Sequence, residues 1–141
     1  MNNIIFCYTD GSNFLDQISS WAFIAVQDDK IIHQDSGVLI GDICSIRNIG
    51  GEIKAAVMAI NWAKTNNYKI EIFHDLEGIA FWALGKWKRN NKWTVGYKEY
   101  YDKNKEFVAG FTWVKGHSDS KWNDAVDKLA GKTLKDYKSS I

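Results

Sequence analysis

The chain predicts an α/β fold in which a five-stranded mixed sheet carries helices on both faces. Three strand-like runs follow one another in the first part of the chain, which favours antiparallel neighbours. A helical pattern then separates the third run from the fourth, and a strand–helix–strand crossover favours parallel pairing. The complete order is βββαβααβα, so we expect three antiparallel strands followed by parallel additions.

The first strands are short apolar runs bounded by turn-forming residues. Residues 4–8 are apolar, and the Asp-Gly-Ser cluster at 10–12 predicts that the first strand ends there. Residues 21–27 and 30–38 form the next two runs, and the two aspartates between them predict a tight hairpin.

The first helix is predicted from apolar residues at helical spacing. Gly50 and Gly51 are expected to break the chain, so that the helix begins near Glu52. The helical pattern ends at Asn66 and Asn67, and residues 69–74 predict the fourth strand.

The second half of the chain predicts three helices and one strand. Residues 78–87 favour a short helix, 88–94 a polar loop, 95–105 an amphipathic helix, 107–114 a strand and 120–135 a terminal helix. The terminal helix should turn Trp122, Ala125, Val126 and Leu129 inward. From Leu134 onward we expect a fraying tail, which divides the chain into a domain of residues 1–133 and a tail of residues 134–141.

Composition and the hydrophobic pattern argue against a disulfide-stabilised, zinc-binding, exported or membrane-spanning protein. Hydrophobic residues make up 45% of the 141 residues, enough for a core without disulfides. The 18 Lys+Arg residues balance 17 Asp+Glu, so net charge does not indicate a nucleic-acid partner. Cys7 and Cys44 lie among apolar residues without zinc spacing and predict buried free thiols. The pattern contains no signal peptide or membrane span, so we expect a cytoplasmic protein. Nothing in the sequence demands more than a monomer, and a monomer is expected.

Four acids stand where a mixed sheet places its ligand crevice. They are Asp10 after the first strand, Glu52 opening the first helix, Asp75 at the end of the fourth strand and Asp127 on the terminal helix. Asp10 and Asp75 become neighbours if their strands pair in parallel. Clustered carboxylates repel one another unless cations bind, and Mg²⁺ prefers such oxygen ligands. Each acid taken alone also fits an ordinary turn, helix-end or surface position.

The local contexts of these acids resemble the motifs of type 1 ribonuclease H. The matching segments are YTDGS at 8–12, GEIKAA at 51–56, FHD at 73–75, WVKGH at 113–117 and NDAVDKLA at 123–130. The resemblance extends from Ile4 to Ala130 with the motifs in order, and the chain is identified as a member of that family.

The resemblance implies the ribonuclease H-like fold and a metal-dependent endonuclease that cleaves the RNA strand of an RNA–DNA hybrid. It assigns the four acids as catalytic ligands of two Mg²⁺ ions, with Mn²⁺ as a substitute. Asp124 is the alternative to Asp127 on the terminal helix, and the motif register favours Asp127. His117 matches a catalytic histidine that helps a proton or product leave. His33 and His74 have no such context and are interpreted as structural.

The expected partner is the hybrid duplex, recognised through the 2′-hydroxyl that distinguishes RNA from DNA. By resemblance, Gly11, Ser12 and Gly51 lie near this substrate, and Asn48 matches an asparagine that contacts the DNA strand. The segment 86–93 is basic and aromatic, which suits a phosphate backbone, and its candidate contacts are Lys86, Lys88 and Arg89. The stretch from Trp87 to Phe107 is too short for the extra basic helix of some bacterial relatives.

Two features leave alternatives open. Glu77 stands where many relatives have a neutral amide, and a further acid there adds a ligand or repels phosphate. Another nuclease on the same fold that acts on DNA, or a non-catalytic hybrid-binding module, is also compatible with the fold. The WVKGH segment argues against the first alternative, and the complete set of acids argues against the second.

Overall fold

The computed structural model describes residues 3–114 and 120–141 and contains one five-stranded sheet with the strand order β3-β2-β1-β4-β5. The strands are β1 (Ile4–Phe14), β2 (Ile18–Gln27), β3 (Lys30–Ile40), β4 (Lys69–His74) and β5 (Val108–Trp113). The α-helices are α1 (Asn48–Asn66), α2 (Gly78–Ala83), α3 (Lys92–Asn104) and α4 (Lys121–Ser140), with short 3₁₀ helices at Asp42–Ile46 and Lys105–Phe107.

Strand pairing confirms the predicted mixed sheet. β2 pairs antiparallel with β1 and with β3, whereas β4 pairs parallel with β1 and with β5. Asp28 and Asp29 connect β2 to β3 with φ angles of 54° and 60°. Two consecutive positive φ angles are typical of the tight hairpin turn that matches strand twist, and aspartate tolerates that conformation better than most residues.

Helices cover both faces of the sheet, as predicted. Cys7 of β1 packs into the larger core, which β1, β2 and β4 form with α1, α2 and α3. Tyr8, the next residue, points to the opposite face and packs with Val126 and Ala130 of α4. This alternation follows from the two-residue period of a strand. It matters for the site because side chains of β1 at even positions point toward α4.

The expected end of the first strand before Asp10 is wrong. β1 continues to Phe14, because Asp10 pairs with Ala22 and the following residues continue the antiparallel ladder with β2. The Asp-Gly-Ser cluster is a turn signal only locally, and here the pairing with β2 overrides it. Asp10 therefore lies inside a strand, where the ladder with β2 holds its backbone.

The expected chain break at Gly50 and Gly51 is also wrong. α1 begins at Asn48, and both glycines are buried within its first turns. A Cβ on Gly51 would overlap the carbonyl oxygen of Ser20 and lie 3.0 Å from the Cα of Gly11. These glycines permit close approach of the helix to the sheet, so they do not end an element.

The terminal helix continues beyond its expected end. α4 reaches Ser140, Leu134 is buried, and the Lys138 ammonium lies 3.5 Å from the ring centre of Phe14. The expectation of fraying from Leu134 onward is therefore wrong, while the division at residue 133 stays a prediction. Within residues 3–114 and 120–141, no helix is both long and apolar enough to span a bilayer.

The loop between α2 and α3 ends earlier in the sequence than expected. α3 starts at Lys92, because the Asn91 side chain accepts hydrogen bonds from the backbone N–H groups of Trp93 and Thr94. An asparagine in this position satisfies N–H groups that have no partner within the helix. α2 is limited to Gly78–Ala83, so most of the basic segment lies between α2 and α3, and its last two residues open α3.

Candidate active site

Three carboxyl groups from three different elements converge at one edge of the sheet. Asp10 of β1, Glu52 of α1 and Asp75, which follows β4, each place an oxygen within 4.8 Å of the others. We call this group the acid cluster. Two of its members are buried, Asp10 with 4% and Glu52 with 1% of its surface exposed, and Asp75 is half-buried.

Strand register brings Asp10 and Asp75 together. The parallel ladder of β1 and β4 pairs Tyr8 with Phe73, so Asp10 and Asp75 stand level two residues further along. The hydroxyl of Thr9 donates a hydrogen bond to the carbonyl oxygen of Phe73, at 3.3 Å, and joins the strands where the ladder ends. The predicted parallel pairing therefore places these two acids side by side.

A glycine contact brings Glu52 to the other two acids. A Cβ on Gly11 would overlap the backbone nitrogen of Glu52 and lie 2.8 Å from the Cα of Gly51. Because neither glycine has a side chain, the first turns of α1 rest directly on β1. The prediction of Gly11 and Gly51 as substrate contacts did not include this packing. A glycine pair that opens an amphipathic helix signals a close approach, but it does not identify the partner strand.

Asp127 approaches the cluster from the opposite face. Asp10 and Tyr8 are two residues apart on β1, so both side chains point to the face that α4 covers. Asp127 is an exposed residue of α4. The Asp127 carboxylate is near enough to raise the pKa of Asp10. Asp124, the alternative, lies in the first turn of α4 and is also exposed.

Two members of the acid cluster, Asp10 and Glu52, have raised pKa values. Burial raises the pKa of Asp10 to about 7, and a hydrogen bond with Asp127 and the charge of Asp75 act in the same direction. The opposing influences are a hydrogen bond with Glu52 and the backbone N–H of Gly11, which donates to Asp10 Oδ1 at 2.9 Å. Burial also raises the pKa of Glu52 well above its ordinary value, helped by its acidic neighbours.

The residues of the cluster fit a divalent cation. Oε2 of Glu52 is buried and accepts no hydrogen bond within the described part of the chain, so a buried oxygen is left without a partner. Such an atom is costly unless a ligand satisfies it. Carboxylate oxygens are the ligands that Mg²⁺ and Mn²⁺ prefer, and a bound cation would offset the repulsion that raises the pKa values.

The turn that carries Asp75 is held by hydrogen bonds to three consecutive carbonyl groups. Val114 N–H donates to the carbonyl oxygen of His74 at 2.7 Å, and the Trp113 indole N–H donates to that of Asp75 at 3.0 Å. Nδ1 of His74 lies 2.8 Å from the carbonyl oxygen of Leu76. Burial lowers the pKa of the His74 imidazole.

The remaining predicted site residues that the structure describes are not part of the acid cluster. His117 lies outside the described residues. Ser12 pairs with Ser20 within the β1–β2 ladder, and Asn48 is the exposed first residue of α1. Their contacts with a substrate stay predictions.

The basic segment lies at the surface after α2. Lys86 and Lys88 are exposed, while Arg89 is half-buried and donates from Nη1 to the carbonyl oxygen of Trp87 at 3.3 Å. Glu77 does not join the acid cluster and instead lines a cavity of about 380 Å³ together with His74 and Lys86. Glu77 is therefore not a member of the acid cluster, and its interpretation as a charge that repels phosphate stays a prediction.

The mixed sheet and its clustered carboxylates define the class of the molecule, an α/β protein with an acidic site suited to divalent cations. The chain belongs to the RNase H family, because the family model described as RNase H matches residues 2–135. The predicted family is therefore confirmed.

Two curated relatives share part of the chain. A Ribonuclease H of Ruthia magnifica subsp. Calyptogena magnifica is 32% identical over 56% of this chain and 62% of that protein. A Ribonuclease H of Clostridium botulinum (strain Hall) is 32% identical over 61% of this chain and 66% of its own length. The chain thus spans slightly less than two thirds of the length of these relatives.

Solved structures share the fold over nearly the whole chain. RNase H1 from Halobacterium salinarum NRC-1 has a TM-score of 0.76 at 17% identity, covering 95% of this chain and 99% of that one. LC11-RNase H1, isolated from compost, has a TM-score of 0.77 at 15% identity, covering 96% and 98%. The same LC11 protein in complex with an RNA/DNA hybrid has a TM-score of 0.75 at 14% identity, covering 94% and 98%. These similarities confirm the predicted ribonuclease H-like fold.

Proposed function

We propose that this chain is an endonuclease that hydrolyses the RNA strand of RNA–DNA hybrids at a site for two divalent cations. The observation that carries the proposal is the convergence of Asp10, Glu52 and Asp75 in a chain of the RNase H family. Three mutually close carboxylates, two of them buried, are an unfavourable arrangement for stability alone. Such an arrangement is typical of a functional site.

The acid cluster, with Asp127 as a fourth ligand, would hold Mg²⁺ or, as a substitute, Mn²⁺. When bound, the cations lower the pKa of water and offset the charge that develops on a phosphodiester. The support is the set of hard oxygen ligands and the unpartnered Glu52 Oε2.

The chain's own residues prepare this chemistry. Gly11 N–H orients Asp10, and burial of Glu52 among backbone and core atoms keeps its carboxyl in one position. Asp75 is only half-buried, so the cluster opens toward solvent on the side where a phosphate can enter. His117 is the proposed group that accepts a proton or assists release of the product.

The proposed substrate contacts come from β1, the start of α1 and the basic segment. Gly11, Ser12 and Gly51 offer backbone or hydroxyl groups near the cluster, and Asn48 is exposed at the start of α1. The exposed charges of Lys86 and Lys88, with Arg89 beside them, suit the phosphates of the duplex. The related LC11-RNase H1 has been solved with an RNA/DNA hybrid, which supports this class of substrate.

The cell compartment and oligomeric state belong to the same proposal. Cys7 and Cys44 are buried free thiols, which supports a reducing cytoplasm. We propose a monomer, because all three acids of the cluster come from one chain.

The test is a comparison of duplexes of identical sequence. Purified protein with Mg²⁺ or Mn²⁺ should cleave the RNA strand of an RNA–DNA hybrid and leave the DNA strand, an all-DNA duplex and an all-RNA duplex intact. Cleavage of the all-DNA duplex would instead indicate another nuclease on this fold. Tight hybrid binding without cleavage under either cation would indicate a non-catalytic binding module.

A further inference from the structure

Asp75 differs from the other members of the acid cluster in how its backbone is supported. Asp10 lies in β1 and Glu52 lies in α1, so regular hydrogen bonding fixes both. Asp75 lies in the turn between β4 and α2, outside any strand or helix. Its carboxylate can stay within reach of the other two only if other groups hold this turn.

Three donors from outside α2 reach three consecutive carbonyl groups of the turn, and the last of these, that of Leu76, also accepts from the Ile79 N–H of α2 at 3.1 Å. Two come from β5 or the residue after it: Val114 N–H bonds His74, and the Trp113 indole bonds Asp75. The third is the imidazole of His74, which reaches across Asp75 to the carbonyl of Leu76 at 2.8 Å. A side chain of this turn thus spans the residue that belongs to the acid cluster.

The His74 ring is fixed in this position. It is only 1% exposed and packs edge-on against Phe111, with ring centres 5.9 Å apart. A carbonyl oxygen can only accept a hydrogen bond, so Nδ1 of His74 carries the proton and donates it to Leu76. Nε2 is buried without a hydrogen-bond partner among the described residues, so the polar contact of the ring is the one made with the turn.

We propose that His74 is a positioning residue whose Nδ1–H, together with the Trp113 indole, holds the turn so that Asp75 stays in place beside Asp10 and Glu52. This inference rests on the proposed function, in which the acid cluster binds divalent cations. Hydrogen-bond partners behind a metal ligand fix its orientation and so contribute to the affinity of the site.

The competing explanation is that the His74 ring only fills the core. Two substitutions distinguish this filling role from the positioning role. His74→Phe keeps an aromatic ring against Phe111 and removes the donor. His74→Asn loses ring volume, but its Nδ2–H stands at the position of the imidazole Nδ1–H and can still donate to Leu76. A positioning role makes His74→Phe the worse variant for cation binding, whereas a filling role makes His74→Asn the worse one.

The experiment measures Mg²⁺ and Mn²⁺ affinity by calorimetry, unfolding by urea in EDTA, and kcat and KM on a hybrid. His74→Phe should weaken cation binding by about 10- to 100-fold, the range found when a partner behind a metal ligand is removed. It should lower kcat with little change in KM. His74→Asn should unfold at lower urea yet bind cations nearly as tightly as the wild type.

Two further variants complete the design. Trp113→Phe removes the other side-chain donor from a residue that is 45% exposed, so it should fold and weaken cation binding in the same direction. His33→Phe is the matched control, because His33 stacks on Trp62 with ring centres 5.2 Å apart, and cation affinity should not change.

Wild-type cation affinity in His74→Phe, or in Trp113→Phe if the first variant does not fold, would overturn the inference. So would a loss of affinity that follows the loss of stability across all variants. If the wild type binds cations but cleaves no hybrid, the proposed function fails while the affinity comparison still decides the role of His74. If the wild type binds neither cation, both fail.

Discussion

At the scale of single residues, the acid cluster is electrostatically unfavourable without a cation and is suited to bind one. Asp10 and Glu52 are among the most buried ionisable groups described, and both resist losing their protons in the absence of a cation. A cation would reverse that preference, since it stabilises the charged form of each carboxylate. The stability of the cation-free protein should therefore depend on pH.

The first prediction is a pH dependence of stability in EDTA. The folded pKa of Asp10 is about 7, above the ordinary carboxyl value of about 4. As pH rises between these values the unfolded chain releases its proton and the folded chain keeps it, so the free energy of unfolding falls. The stability contribution is complete below about pH 4 and is lost as the pH passes about 7.

Urea unfolding at pH 5 and pH 8 in EDTA measures this fall. One pKa unit corresponds to about 1.4 kcal/mol, so a fall of at least that size is expected. Asp10→Asn should reduce the fall without abolishing it, because Glu52 shifts in the same direction. Equal stability at both pH values in the wild type would contradict the assigned electrostatics.

The second prediction separates the two acids of the terminal helix. Asp127→Asn should lower hybrid cleavage severely or shift the requirement toward Mn²⁺, because Asp127 is the acid of α4 that acts on Asp10. Asp124→Asn should be mild, since an exposed surface charge contributes less than about 1 kcal/mol. Cleavage by both variants across Mg²⁺ and Mn²⁺ titrations is the measurement, and a severe Asp124→Asn with a mild Asp127→Asn would show that the motif register is wrong.

At the scale of elements, the contact between β1 and α1 determines where Glu52 lies. The third prediction is that Gly51→Ala destabilises the protein by about 1–3 kcal/mol, the usual range for overpacking. The added Cβ overlaps the carbonyl of Ser20 and pushes α1 away, so cation affinity should fall as well. Urea unfolding and calorimetry measure both effects.

Gly131→Ala is the matched control, because a Cβ there meets no atom within 4 Å and the residue lies inside α4. That substitution should raise stability by about 0.5–1 kcal/mol through helix propensity. A Gly51→Ala variant as stable as Gly131→Ala would show that the contact has room to spare.

The fourth prediction concerns the basic segment between α2 and α3. If Lys86 and Lys88 meet phosphates, each contact contributes a slope of about 0.7–0.9 to the plot of log affinity against log salt. Replacing both with alanine should flatten that plot for a hybrid. Lys132 and Lys135 on α4 provide the control pair, and an unchanged slope for the Lys86/Lys88 variant would show that the segment is only a solvated loop.

The elements also show what a sequence pattern can and cannot predict. β4 was predicted with its observed bounds, since most of its residues alternate between polar and apolar with the two-residue period of a strand. The Asp-Gly-Ser cluster wrongly predicted the end of the first strand, because it indicates only a local turn preference. β1 continues because it pairs with β2, and the local turn pattern does not contain that pairing. The glycine contact and the His74 hydrogen bond depend on neighbours distant in sequence or on the path of a turn, and no local pattern contains them.

At the scale of the whole molecule, topology brings the site together. The parallel pairing of β1 with β4 aligns two acids, a helix on one face adds the third, and α4 on the other face carries Asp127, the proposed fourth ligand. The motifs predicted which acids take part because the family resemblance carried their spacing. Their distances and burial required the folded sheet.

The most direct test of the central claim is the rate of RNA-strand cleavage in a hybrid as Mg²⁺ is titrated, for the wild type and for Asp10→Asn. The wild type should be inactive in EDTA and reach a saturating rate with Mg²⁺. Asp10→Asn should keep the fold, shown by an unchanged circular dichroism spectrum, and lose almost all activity, because an amide lacks the negative charge that holds a cation. Cleavage by Asp10→Asn at near the wild-type rate, or wild-type cleavage that persists in EDTA, would contradict the account.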